Sequence, residues 1–125
     1  MCIVKLKRNK MKKAILINVK NETIEEVLIG EGIEPIYEAI EVDCFDVVGF
    51  DEKNDVYVDD NGLLNLSPSS KFFSIEGYHQ PLAGNGLIMG INHDNGESID
   101  TTLSVEYIKS IVKFHTMSEI QRMYV

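Results

Sequence analysis

Residues Phe72–Asn92 read FFSIEGYHQPLAGNGLIMGIN, and the fold turns on how this stretch is built. It carries Gly77, Gly84, Gly86 and Gly90, four of the nine glycines of the chain, and Pro81, one of its three prolines. Two apolar runs flank a polar, glycine-rich middle, so the pattern is strand, shaped loop, strand. A loop this rich in glycine either turns sharply or lets the backbone come close to something. Both uses stay open from the residues alone.

The same logic extends outward. Toward the N-terminus, Ala14–Val19 (AILINV) is a short apolar run of strand character, Lys20-Asn21-Glu22 is a turn signal, and Thr23–Ile29 resumes as a strand, which predicts a β-hairpin. Gly30-Glu31-Gly32 breaks it. Ile33, Ile36, Tyr37 and Ile40 then recur at helical spacing, and Pro35 fits only in a first turn, so a short helix follows. Cys44–Phe50 reads as a strand, with Cys44 a buried thiol, and Asp55–Asp59 reads as its antiparallel neighbour. Asp60-Asn61-Gly62 signals a tight turn, because Asn and Gly accept positive φ. Ser67–Ser70 is expected to be exposed loop. Toward the C-terminus, Leu87–Ile91 forms a strand and His93-Asp94-Asn95-Gly96 a second tight turn. Ser104 is placed to cap a helix from Val105, with Val105, Ile108, Ile111 and Val112 on its apolar face. Strands predominate over two or three short helices. The expected class is α+β: a single domain with a mostly antiparallel β-sheet. Residues 11–115 form that domain, 1–10 a basic extension outside the fold, and 116–125 a tail that adds a helical turn or two or frays.

A chain of 125 residues that is 44% hydrophobic can bury a core and has no need of disorder. No apolar run approaches the roughly 20 residues that span a bilayer, and Ala14–Val19 is too short for a secretory signal, so no membrane is expected and the location is cytoplasmic. Two cysteines, Cys2 and Cys44, are too few for a disulfide framework. Net charge is −8, unevenly spread. Residues 1–13 hold six basic residues and no acid, which leaves six basic and twenty acidic residues in the rest, a body charge of −14. Such a body repels nucleic-acid backbones. It is either a well-solvated surface or an acidic face offered to a basic partner.

The segments AILINVKNETIEEV, IYEAIEVDCFDVV, DVYVDDNGLL, FFSIEGYHQPLAGNGLIMG and SVEYIKSIV, in that order, resemble a family of small bacterial, phage and mobile-element proteins labelled only as a domain of unknown function. The specific pieces are YVDDNGLL and G-Y-x-Q-P-L-A-G-x-G-L. The likeness spans roughly residues 11–114. It implies a genomic setting, the accessory genes of phages and plasmids, where small acidic proteins often antagonise host defences. It carries no catalytic residues with it.

Chemistry is weakly signalled. His79, His93 and His115 are each capable of acting as a base, but no nucleophile has a flanking signature such as G-x-S-x-G. Asp55, Asp59, Asp60 and Asn61 lack the spacing of a calcium loop. Gly84-Asn85-Gly86 resembles an anion-binding nest but leads into a strand and has no Lys-Ser/Thr pair, which excludes a P-loop. No cofactor or metal is expected. The candidate binding residues are Tyr57, Asp59 and Asn61 at a strand end and Tyr78, His79, Gln80 and Asn85 in the loop, which would share one edge if the two segments pair. The expected function is that of a non-enzymatic accessory protein of a phage or mobile element, acting as an acidic inhibitor of a host protein with a basic surface. Two alternatives stand beside it. One is sequestration of a small nucleotide-like signal at Tyr78–Gly86, which favours a homo-oligomer with pockets between subunits and needs Lys or Arg to converge locally. The other is a small hydrolase using His79.

Overall fold

Alternation of buried and exposed side chains along Lys12–Asn18 (β1) sets the architecture. Ile15 and Ile17 face one core, and Ala14 faces another on the opposite side of the sheet. The computed structural model describes residues 11–60, 66–78 and 80–124. β1 pairs with Thr23–Ile29 (β2) in the expected hairpin, Asn18 opposite Thr23, and Glu22 closes the turn at a φ of 55°. Phe45–Gly49 (β3) and Asn54–Asp59 (β4) form the second antiparallel pair.

Gly86–Ile91 (β7) joins the two hairpins. It pairs with β1 on one side and β4 on the other, giving the order β2-β1-β7-β4-β3, and Ser98–Ile99 (β8) adds at the end of β7. All five residues from Gly86 to Gly90 are buried, as a central strand covered on both faces requires.

The two flanks of the glycine-rich stretch belong to different sheets. Lys71–Ile75 (β5) pairs with Leu82–Ala83 (β6) and with Val112–Thr116 (β9) in a separate three-stranded sheet. This small sheet and the helix Val105–Ile111 (α2) pack on one face of the large sheet around Ile15, Ile17, Val56, Val58, Phe73, Ile88 and Ile108. The helix Glu34–Ile40 (α1) covers the other face over Ala14, Tyr57, Leu87 and Met89, through Ile36 and Ile40. The protein is therefore one α+β domain of antiparallel sheets, with three short helices among the described residues.

Ser104 caps α2 as expected: its Oγ accepts from the Tyr107 N–H at 3.1 Å. Three expectations need correction. Val112 continues the apolar spacing of α2 but opens β9 instead, because its backbone pairs with Ile75 across the small sheet. Ile33 lies outside α1 as its N-cap, so its side chain escapes the core and is exposed. Cys44 precedes the edge strand β3 and its thiol is exposed, not buried. After β9 the chain enters a last helix, Met117–Tyr124 (α3). A reciprocal capping box starts it: the Thr116 N–H donates to Glu119 Oε1 at 2.8 Å, and the Glu119 N–H donates to Thr116 Oγ1 at 3.3 Å.

Two contacts hold the layers in place. A Cβ on Gly86 would lie 2.6 Å from Phe73 Cζ, so the bare backbone of β7 is what admits that ring between the sheets. Asn54, fully buried, accepts from Thr101 Oγ1 at 2.7 Å and donates to Asp51 Oδ1 at 3.1 Å and Thr102 Oγ1 at 3.2 Å. Every polar atom of that side chain is thereby used, and the β3–β4 turn is tied to the segment leading into α2. No helix among the described residues is long and apolar enough to cross a membrane.

Candidate functional site

The loop between β5 and β7 turns at Gly77 and Gly84, with φ of 90° and 82°. These left-handed positions suit glycine, and they carry the chain from the small sheet back to the large one. Tyr78 is half-buried against the core beneath the small sheet, its N–H donating to the Ile75 carbonyl at 3.0 Å. Gln80 is exposed beside it. Both line a shallow cleft of about 150 Å³ with Asp59, which sits at the end of β4. Asn85 is buried and its Oδ1 accepts from the Val19 N–H at 2.9 Å, a bond that ties the loop to the β1–β2 turn. Asn61 and His79 lie outside the described residues.

Tyr57 is not part of this group. Its neighbours Val56 and Val58 face the small sheet, so alternation turns its ring to the α1 side. There it meets Phe45 edge-on at a centroid distance of 5.1 Å, and its hydroxyl bonds Ser98 Oγ at 3.1 Å.

Around the turn of the loop lies a larger cleft, about 440 Å³. Val19, Ile40 and Ala83 form its apolar wall; Lys20 and Lys71 bring two cations to it, and Glu41 and Asp59 two carboxylates. Glu41 holds a φ of 60° at the C-cap of α1, a conformation that costs a non-glycine residue about 1 kcal/mol or more. Gly84 and Asn85 complete the rim. Among the described residues, no aromatic ring lines this cleft.

The most extensive feature is electrostatic. Residues 21–52 contain eleven carboxylates and no Lys, Arg or His. All eleven are exposed. This one segment supplies both edges of the large sheet, β2 and β3, and the helix α1 between them; alternation places Glu25 on the α1 side with Val27 and Ile29, and Glu26 and Asp46 on the opposite side with Ile24 and Val48. Glu34 and Glu38 stand one turn apart along α1, with Glu41 at its end. The opposite layer differs. Among the described residues of 66–84 and 103–124 there are three acids, Glu76, Glu106 and Glu119, against Lys71, Lys109, Lys113 and Arg122. The charge is segregated by layer.

Other polar groups have local tasks. His115 Nε2 bonds Ser74 Oγ at 2.7 Å across the small sheet, and His93 Nε2 bonds the Glu52 carbonyl oxygen at 2.7 Å between two turns. Glu119 is held below the usual carboxylate range, first by the Thr116 N–H and then by the Thr116 hydroxyl. No group of three or more His, Cys, Asp or Glu among the described residues is arranged to hold a metal ion.

Neither a curated protein nor a solved structure matches the chain. Residues 11–114, most of the sequence, match the family model described as Domain of unknown function (DUF3846), and the protein belongs to that family.

Proposed function

We propose that the protein acts by binding: it is an accessory protein of a phage or mobile element whose acidic α1 face docks on a basic surface of a host protein and inhibits it. The observation that carries this is the run of eleven exposed carboxylates in residues 21–52, with no cation in the run, on α1 and the two edge strands β2 and β3. A surface built only for solubility intersperses both signs, because a single-sign field strains the folded state by self-repulsion. A stretch of surface kept free of cations at that cost is suited to steering a basic partner and to rejecting acidic ones. The phage and mobile-element setting rests on the resemblance to that class of small proteins.

A tagged protein captured from its host at low salt tests this. The expected result is a stoichiometric partner with a basic surface, released by 0.5 M salt and absent when Glu25→Lys, Glu34→Lys and Glu38→Lys are combined. A partner that the triple variant retains at high salt would remove the acidic face from the account.

One observation favours a second reading, sequestration of a small anionic signal. Lys20 and Lys71, two of the few cations of the body, converge on the 440 Å³ cleft beside Gly84 and Asn85. Its volume suits a small molecule, and its apolar wall gives the body of a ligand somewhere to lie. A small molecule released from the purified protein on denaturation, and lost from a Lys20→Ala, Lys71→Ala variant, would favour this cleft over the acidic face.

A further inference from the structure

The helix α1 has seven residues, and it is laid across a sheet five strands wide. It leaves part of that face open. Between its N-terminal end and the turn before β8 runs a groove of about 450 Å³, lined by Ile33, Phe45, Val47, Tyr57 and Met89. Ile33 is 56% exposed and Val47 44% exposed, although both are large apolar side chains. The floor is firm: the Phe45 ring is held between Tyr37, at a centroid distance of 5.0 Å, and Tyr57, at 5.1 Å. Such a site is formed before anything enters it. Glu31 and Glu97 stand among its described lining residues, with Lys12 the one cation among them. Glu34 follows Ile33 in the first turn of α1 and is exposed.

We infer that this groove is the anchor site for a basic, amphipathic segment of a partner protein. One aliphatic or aromatic side chain of that segment enters the groove, and Lys or Arg residues on either side of it meet the surrounding carboxylates. This inference rests on the acidic face being the docking surface, and it adds where on that face the affinity resides. The charge complementarity decides the occupant. An apolar groove alone accepts any hydrophobic side chain, but one with carboxylates at its rim disfavours an acidic segment and the acidic body, residues 14–125, of a second copy of this chain. The arrangement has the anatomy of an interface centre: a buried apolar anchor in a preformed pocket, ringed by polar contacts that exclude water and select the partner.

Fluorescence anisotropy with the full-length chain tests it, using two labelled nine-residue peptides at 50 mM NaCl. Both alternate Lys with Gly and carry four Lys; the first has a central Leu, the second a central Gly. The Leu peptide is expected to bind at least tenfold tighter, a difference of about 1.4 kcal/mol, and the advantage is expected to vanish in Val47→Gln, an exposed position on an edge strand where the fold tolerates the change. Equal binding of the two peptides would overturn the groove and leave the acidic face standing. A tenfold advantage that survives in Val47→Gln would place the anchor elsewhere and also overturn the groove. Binding of neither peptide would overturn the acidic docking face and the groove together.

Discussion

Replacing Gly86 by Ala puts a methyl group where no space exists. The new Cβ would lie 2.6 Å from Phe73 Cζ, 3.0 Å from Cε1 and 3.5 Å from Cε2. Carbon atoms prefer about 3.5–4.0 Å, so the nearest contact is an ångström too short. Phe73 has no solvent exposure and sits at the centre of the core between the two sheets. The ring cannot swing outward without moving its neighbours. Two effects compete in this substitution. Ala in a strand interior gains about 0.5–1 kcal/mol over Gly through the unfolded state. Overpacking a filled core costs about 1–3 kcal/mol, and a rigid ring at this distance belongs at the upper end. The net expectation is a loss of about 2 kcal/mol, which lowers Tm by roughly 8 °C for a domain of this size.

A double-mutant cycle isolates the cause. Phe73→Leu removes the ring edge and costs about 1–2 kcal/mol by itself. In that background Gly86→Ala is expected to cost under about 0.5 kcal/mol, giving a coupling of at least 1.5 kcal/mol. Urea unfolding followed by circular dichroism measures all four proteins. If Gly86→Ala costs the same in both backgrounds, the close approach of the sheets at Gly86 is not what that glycine provides. The outcome bears on function as well, because this contact seats the small sheet and the loop between β5 and β7 on the large sheet.

Three further predictions follow from other parts of the molecule. Asn54→Ala takes away the acceptor of the buried Thr101 hydroxyl, whose oxygen keeps only the Leu103 N–H, and frees the β3–β4 turn; urea unfolding should register a loss of about 1–3 kcal/mol, and a loss under about 0.5 kcal/mol would show the network to be dispensable. Glu119 has its carboxyl pKa lowered by folding, first through the Thr116 N–H, so its contribution is fully present above the ordinary glutamate pKa and is lost as pH falls through the folded value. Amide exchange of Ser118–Ile120 should accordingly quicken, relative to the rest of the chain, as pH falls below the ordinary glutamate pKa, and Glu119→Gln, which keeps the capping box, should remove that pH dependence. The acidic face repels itself, so raising NaCl from 20 to 500 mM should stabilise the protein by about 0.5–1 kcal/mol, and combining Glu25→Lys, Glu34→Lys and Glu38→Lys should abolish or reverse that trend; equal salt dependence of the two proteins would mean that these carboxylates do not feel one another.

Local patterning made most elements legible. The hairpin β1–β2, the pair β3–β4, the strand β7 and the cap at Ser104 follow from alternation, turn residues and a capping hydroxyl, all short-range signals. What escaped depends on pairing at a distance. Phe72 and Leu87 flank one loop, yet the first belongs to the small sheet because its partners are Ala83 and His115. Val112 keeps the helical spacing of Ile108 and Ile111, and only its ladder with Ile75 makes it a strand. The start of α3 was signalled by Thr116-Met-Ser-Glu119, whose capping-box spacing is plain in the sequence. The candidate site divides in the same way. Tyr78 and Gln80 share a cleft with Asp59 because the loop folds back toward the end of β4, whereas Tyr57 is carried to the other face by the two-residue period of its strand. The acidic face was present as a run of eleven carboxylates without a cation in residues 21–52. A whole-body charge of −14 conceals it, and its meaning emerges only when that run proves to be α1 and the two edge strands of the large sheet.

Native mass spectrometry of the tagged protein purified from its own host at low salt addresses the central claim most directly. Binding through the acidic face predicts a complex heavier by the mass of one intact polypeptide, with that polypeptide lost from the protein carrying Glu25→Lys, Glu34→Lys and Glu38→Lys. A bare chain, or a chain carrying only a small molecule that the charge-reversed protein carries equally well, would contradict it.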